Sequence, residues 1–339
     1  MALTQVDQGL LGTYAQYTGF KNRIINGAMV IDQRNAGASI SVTTGNVGYP
    51  LDRFYIANQT GSGIFSGQQT TASTPVEFKN ALTVTTTTAQ ASLTATQWSV
   101  LRQSIEGFNA ADLGWGTANA ATVTLSFWVR STLTGTFGGS IINASFNRAY
   151  PFSYTINAAN TWEQKSVTIA GDTTGTWAND NTVGLTINWS LGTGTTYSGT
   201  AGAWAAGFLT SVTGSVSLVG TGSANLLITG VQLEKGSTAT SFDYRPYGTE
   251  LALCQRYYQQ IGQTSGAPAI FGSYGATVNY AIWLFKVSMR AAPTIGGSTI
   301  GTITGTSTDA SSIYTTGAQY TAYGFNGSAY GVCTASAEL

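Results

Sequence analysis

Residues 224–258 read ANLLITGVQLEKGSTATSFDYRPYGTELALCQRYY, and the fold turns on how this stretch divides. Its first part, Leu226-Leu227-Ile228-Thr229-Gly230-Val231-Gln232-Leu233, is an apolar run of strand length bounded by turn residues. Glu234-Lys235-Gly236 turns the chain, and a polar run leads to Phe242-Asp243-Tyr244-Arg245-Pro246-Tyr247. Pro246 biases Arg245 towards extended backbone. Beyond Gly248, the segment Glu250 to Arg256 predicts one or two helical turns. The stretch is therefore a closing strand, an aromatic anchor and a junction in succession. Leu227, Val231 and Leu233 are expected to close a sandwich, and Phe242, Tyr244 and Tyr247 to pin the exit peptide. Arg245 is expected to pair with a nearby carboxylate.

Outward from this joint, the chain before it reads as one large β domain, residues 23–247. Val123, Leu125, Phe127 and Val129 alternate inward along ATVTLSFWVRS, and Trp162 to Ile169 and Val183 to Leu191 repeat the pattern. Asn26-Gly27 and Gly45-Asn46 are turn dipeptides, and Arg34 to Ala38 is a loop. Short strands at regular intervals with glycine-rich turns indicate an all-β sandwich or jelly roll. One helix is predicted inside it: Thr96 caps it, Trp98, Leu101 and Ile105 share a face, Arg102 and Glu106 lie outside, and Gly107 ends it. Residues 248–339 form a smaller β domain, whose longest strand, Val278 to Met289, is closed by Pro293. Residues 1–22 stand apart: Val6, Leu10, Leu11 and Tyr14 make a short amphipathic stripe that glycines weaken, suited to docking on another chain.

Composition excludes much. Charged residues are 8% of the 339, against about 25% in ordinary domains, and 14 basic residues balance 14 acidic ones. Nucleic acid needs a basic face and anionic membranes need basic segments, so neither partner is expected. Histidine is absent, which removes the commonest general base and the commonest metal ligand. Cys254 and Cys333 stand in different expected domains; two reduced, buried thiols are the expectation, with a bridge as the alternative. There is no signal-like N-terminus and no apolar run long enough to span a membrane.

The carboxylates are dispersed singly, and no pair sits in a catalytic motif. Asp32, Asp52 and Glu234 are the hard-oxygen residues a calcium ion would use, but no calcium-loop spacing accompanies them. No metal and no cofactor is expected. Gly135, Gly138, Gly139 and the Gly192–Gly202 run lack the Gly-Lys-Ser/Thr continuation of a phosphate loop and read as turn chemistry. Aromatics are the informative class, because a ring can stack on the apolar face of a sugar while amides and hydroxyls bond its rim. Trp115, Trp177, Tyr197 and Trp204 lie in Gly/Thr/Asn loops, and Tyr314, Tyr320, Tyr323 and Tyr330 cluster near the C-terminus; these are the candidate glycan contacts. Packing between subunits or under loops is the competing reading of the same rings.

Several stretches carry a resemblance. FKNRIINGAMVIDQR (residues 20–34), Leu51-Asp52-Arg53-Phe54, Ile105-Glu106-Gly107, Thr124 to Val129, GVQLEKGSTATSFDYRPYGTELALCQRYY (residues 230–258), Met289 to Thr294 and Ala337-Glu338-Leu339 resemble segments of bacteriophage tail fibre and related virion proteins. The resemblance implies a jelly roll similar to galactose-binding and carbohydrate-binding modules. It also implies a homotrimer attached to other virion proteins (tail adaptor, nozzle or capsid) through residues 1–22, exposed on the particle and made in the host cytoplasm. It transfers no sugar-contacting residue. The expected function is a non-enzymatic adhesin for a host surface polysaccharide. The alternatives are a capsid fibre, cement or collar protein without a receptor role and, last, a depolymerising tail spike.

Overall fold

The structure, a computed structural model, describes residues 21–261, 272–274, 278–300, 308–314, 317–323 and 330–339, with side chains at 21–260, 284–294 and 334–339. The expected docking segment, apart from Lys21 and Asn22, lies outside the described residues. In chain order the strands are β1 (Ile40–Val42), β2 (Val47–Leu51), β3 (Phe54–Gln59), β4 (Ile64–Thr70), β5 (Ala81–Thr88), β6 (Trp98–Glu106), β7 (Val123–Ser131), β8 (Gly135–Asn143), β9 (Arg148–Ile156), β10 (Glu163–Ile169), β11 (Val183–Thr193), β12 (Ser198–Gly199), β13 (Ala205–Ala206), β14 (Ser211–Val212) and β15 (Asn225–Lys235). A helix, α1 (Tyr247–Gln255), follows. Beyond it come β16 (Tyr258–Ile261), β17 (Gly272–Tyr274), β18 (Val278–Leu284), β19 (Thr294–Ile300), β20 (Thr308–Tyr314), β21 (Gly317–Tyr323) and β22 (Tyr330–Ser336).

A six-stranded sheet, β1-β4-β5-β15-β7-β10, faces a seven-stranded sheet, β13-β9-β8-β11-β6-β3-β2, and the two make a jelly-roll sandwich. Alternation fills the space between them. Val123, Leu125, Phe127 and Val129 of β7 meet Leu185, Ile187, Trp189 and Leu191 of β11 and Tyr150, Phe152, Tyr154 and Ile156 of β9 in one core. The chain beyond α1 makes a three-stranded sheet, β16-β22-β19, and a four-stranded one, β17-β18-β21-β20.

The stretch at 224–258 divides as expected, with one change of parity. β15 runs between β5 and β7, and its register slips between Thr229 and Gln232. Gly230 sits at the slip with φ +59°, where a Cβ would meet the Phe78 ring. A bulge adds a residue to one strand and so exchanges the two faces. Before it Leu226 and Ile228 enter the core, after it Val231 and Leu233 do; Leu227 points away.

The predicted helix at 96–107 is instead the strand β6, paired with β3 and β11. Leu101 and Ile105 enter the core, while Trp98 and Arg102 lie on the opposite face. Ser99 to Glu106 are all buried, because loops and the junction cover the outer face as well. Ser99 and Gln103 interrupt the inner row of Leu101 and Ile105, and Trp98 and Val100 are apolar on the outer face, so the binary alternation is lost and the apolar residues fall by chance at helical spacing. The short helix of this fold is α1. Tyr247 begins it and is 63% exposed, so it does not pin the exit peptide. The strand from Val278 ends at Leu284, and Pro293 immediately precedes β19.

A second core joins the ends of the sandwich: Ile25 and Ile31 pack with Cys254 and Tyr257, flanked by Leu251, Leu253 and Leu339. Cys254 is a free, buried thiol whose pKa burial raises well above the ordinary value; the side chain of Cys333 is outside the described residues. Among the described residues, no helix is long and apolar enough to cross a membrane.

Candidate functional site

The site is built on the outer face of the seven-stranded sheet. Tyr55 of β3, Arg102 of β6 and Asn188 of β11 lie side by side in register, with Ser140 of β8 beyond them. Arg102 Nε donates to Asn188 Oδ1 at 2.5 Å, and Asn188 Nδ2 donates to Ser140 Oγ at 2.9 Å. Next to this row, Ser104 Oγ lies 3.1 Å from Thr186 Oγ1 and 3.4 Å from the Tyr55 hydroxyl. The floor is thus a chain of amides and hydroxyls around one guanidinium.

Aromatic rings wall that floor. Trp98 comes from the start of β6, Phe146 from the β8–β9 turn, and Tyr197 and Phe208 from the segment 194–217 that crosses the face. Phe208 is the hub: its centroid is 5.1 Å from Trp98, 5.2 Å from Phe146 and 5.3 Å from Tyr197, all edge to face. That is the preferred geometry for ring quadrupoles. The guanidinium carbon of Arg102 lies 5.4–5.9 Å from the ring centres of Trp98, Phe146, Phe208 and Tyr55.

Local chemistry sets these rings in place. Phe146 has φ 54°, a left-handed conformation that bulky side chains rarely take. Asn143 holds it there: its carbonyl accepts from Phe146 N, and its Oδ1 accepts from Asn147 N and Arg148 N, each at 3.1 Å. The ring so presented is 45% exposed. Phe208 follows Gly207, whose φ of +101° faces open space and whose N–H donates to Asn147 O. The crossing segment descends onto β8 because residue 138 is glycine; a Cβ there would strike Ser211 Oγ and come within 2.9 Å of Val212 N.

Of the candidates expected from sequence, Tyr197 belongs to this platform. Trp115, Trp177 and Trp204 meet one another instead, with centroids 4.8–5.3 Å apart and rings edge to face. Trp115 is 7% exposed and donates from Nε1 to Ala121 O. Trp204 Nε1 donates to Ala170 O, and Trp177 Nε1 to Thr174 O and Asp172 Oδ2. With every indole N–H spent internally and Arg148 clamped to Asp172 beside them at 2.5 Å, the triad is a packed corner of the sandwich. Tyr314 ends β20, Tyr320 and Tyr323 lie on β21 opposite Ala281 and Val278, and Tyr330 starts β22; their side chains fall outside the described residues.

Sequence reasoning missed Trp98, Phe146, Phe208 and Arg102. Trp98 and Arg102 were hidden by the helical reading of β6. Phe146 carried a signal: a large ring amid Asn143-Ala144-Ser145 and Asn147, where turn residues dominate.

Buried charge elsewhere is knitted into the scaffold. Glu338 pairs with Arg34 at 2.7 Å and with Arg53, whose guanidinium lies 3.6 Å from the Tyr257 ring centre. Asp52 is fully buried nearby, and that burial raises its pKa to about 7, against the opposing pull of the Gln33 backbone N–H and Arg34. Glu106 accepts from Arg256 Nη2 at 2.6 Å and from the Tyr257 hydroxyl at 2.7 Å. Glu234 serves Thr240 and Gln232. Among the described residues, no three metal-ligating side chains converge. A cavity of about 110 Å³ lies at the exit peptide, lined by Phe242, Tyr244, Arg245 and Glu250.

No family model matches the sequence, and no curated protein does. Solved structures resemble the sandwich. One is a domain of the bacteriophage CBA120 tailspike protein 4, at 13% identity and a TM-score of 0.32, covering 63% of this chain and 21% of that one. Another is the family 11 carbohydrate-binding module of Clostridium thermocellum, in complex with a mixed-linked tetrasaccharide, at 10% identity and 0.30, covering 62% of this chain and 100% of the module. A third, from the same organism, carries a family 22 carbohydrate-binding module and a glycosidase domain of endo-1,4-β-D-xylanase 10B, at 12% identity and 0.29, covering 63% and 31%.

Proposed function

We propose that the protein is a non-enzymatic bacteriophage fibre or adhesin that binds a host surface glycan on the outer face of its seven-stranded sheet. The observation that carries this is the platform itself. Trp98, Phe146 and Tyr197 come from separate segments and meet on Phe208, beside the Arg102 guanidinium. Rings that stack on the apolar faces of a pyranose are what saccharide recognition needs. The strained backbone of Phe146 supports the reading, since such conformations gather at functional sites. The virion context, the homotrimer and attachment through residues 1–22 rest on the resemblance described above. Repeated copies make weak single sites effective, because linked binding raises local concentration.

The test is titration of the purified protein with host surface polysaccharide, alongside Phe208→Ala and Phe146→Ala. Binding that both variants weaken, with unchanged melting, supports the site. Absence of binding to host cells and host polysaccharide rejects the adhesin reading. Release of oligosaccharide from that polysaccharide would reject its non-enzymatic part. Locating the protein in a map of the intact particle decides between tail and capsid attachment.

A further inference from the structure

The arginine under the platform has a chemistry that a neutral sugar does not use. Arg102 keeps 6% exposure, yet no carboxylate lies within ion-pairing distance of it among the described residues. The other deeply buried arginines differ: Arg53 has Glu338, and Arg245 has Glu250. Glu106, on the same face of β6, is committed to Arg256 and Tyr257. Arg102 spends Nε on the neutral Asn188, and its Nη2 is buried without a hydrogen-bond partner. Four rings surround the guanidinium and soften its burial through their quadrupoles. They offer no acceptor for its N–H groups, and an unpaired buried charge is costly to keep.

With Nε given to Asn188 and Nη2 buried, Nη1 is the nitrogen left to meet a carboxylate oxygen in a charge-assisted hydrogen bond. The rings around it supply the stacking surface for the sugar that bears that carboxylate. Resting on the glycan-binding reading above, we infer that the platform is selective for acidic saccharides, with Arg102 pairing to the carboxylate of a uronic or related sugar acid. A cation held without a counter-ion among the described residues is then a specificity element: acidic ligands satisfy it, and neutral ones leave it unpaired.

The experiment compares affinities of the full chain for oligogalacturonate, oligomannuronate, hyaluronan oligosaccharides and sialyllactose with those for the same saccharides after reduction of their carboxyl groups. Carboxyl reduction is expected to cost about tenfold or more, the worth of a charge-assisted hydrogen bond. Arg102→Gln should erase that difference, while Arg102→Lys should keep part of it. Affinity of the wild type for the acidic probe should also fall with salt more steeply than for the reduced one, a readout that needs no variant. Equal affinity for acidic and reduced probes, with Phe208→Ala still weakening both, overturns the acidic selectivity and leaves the platform standing. Acidic binding that survives Arg102→Gln in a folded variant overturns the role of Arg102. No binding of any probe, acidic or reduced, overturns the acidic selectivity, and the glycan-binding reading falls with it only if host polysaccharide also fails to bind.

Discussion

Arg245 Nη1 lies 3.1 Å from Glu250 Oε2, and the pair closes the exit of the sandwich. The same guanidinium donates to the carbonyls of Ile24 and Asn22, and Glu250 in turn accepts from Asn26 N. Both side chains are buried. Removing one partner of a buried pair leaves the other uncompensated, which costs about 3–5 kcal/mol. Arg245→Ala is therefore expected to lower the free energy of unfolding by about that amount in denaturant titration, with saccharide affinity unchanged in the folded fraction. A selective loss of binding with unchanged stability would make the exit cavity a binding site.

The two aromatic clusters should separate in the same assays. Trp115 is locked among Trp177 and Trp204, so Trp115→Ala should destabilise by about 3–5 kcal/mol, the usual cost of emptying a large buried ring site. Saccharide binding by the folded protein should persist. Phe208→Ala should show the reverse: a small change in melting and a large loss of affinity.

Asp52 sets a dependence on pH. Its carboxyl titrates near 3.8 in an unfolded chain and at about 7 in the fold. Below the first value both states hold the proton and the contribution is complete. Between the two values the unfolded chain has released its proton while the fold retains it, so this group lowers stability as pH rises. Each unit is worth about 1.4 kcal/mol. Asp52→Asn should flatten the decline between these limits. Identical pH profiles for the variant and the wild type would remove Asp52 from the account.

Gly138 links scaffold to site. Gly138→Ala places a methyl against Ser211 and Val212 and must lift the crossing segment, at about 1–3 kcal/mol. Because that segment carries Tyr197 and Phe208, affinity should fall by more than the affinity of an Arg245→Ala protein. Equal affinities would show that the platform does not depend on this close approach.

The sandwich was legible because its inward residues keep strict alternation: Val123 to Val129 and Leu185 to Leu191 lie in the core as their spacing implies. β6 was not legible, since polar Ser99 and Gln103 share the inward row with Leu101 and Ile105, while apolar Trp98 and Val100 stand on the outer face. Of the rings in the platform, the loop composition singles out only Tyr197. Phe146 and Phe208 are more than 60 positions apart in the chain, and no local pattern announces a meeting that the β8–β9 turn and the crossing segment bring about. The loop tryptophans meet one another because their loops fold back, and each spends its indole N–H within the sandwich. Arg102 had no signal at all, because an unpaired buried cation is defined by what its neighbours lack.

Where the chain enters and leaves the sandwich, Lys21 N and Asn22 N donate to Asp243 Oδ2 at 2.8 and 3.1 Å, and Arg245 donates to Ile24 O at 3.0 Å. The two ends are thus clasped side by side. Tension between the upstream and downstream chain would be carried across this clasp in shear, and the strands of the sandwich would bear little of the load. A pull that breaks the clasp would come before any strand is peeled, so the ring-lined face could keep its shape while the protein is being stretched.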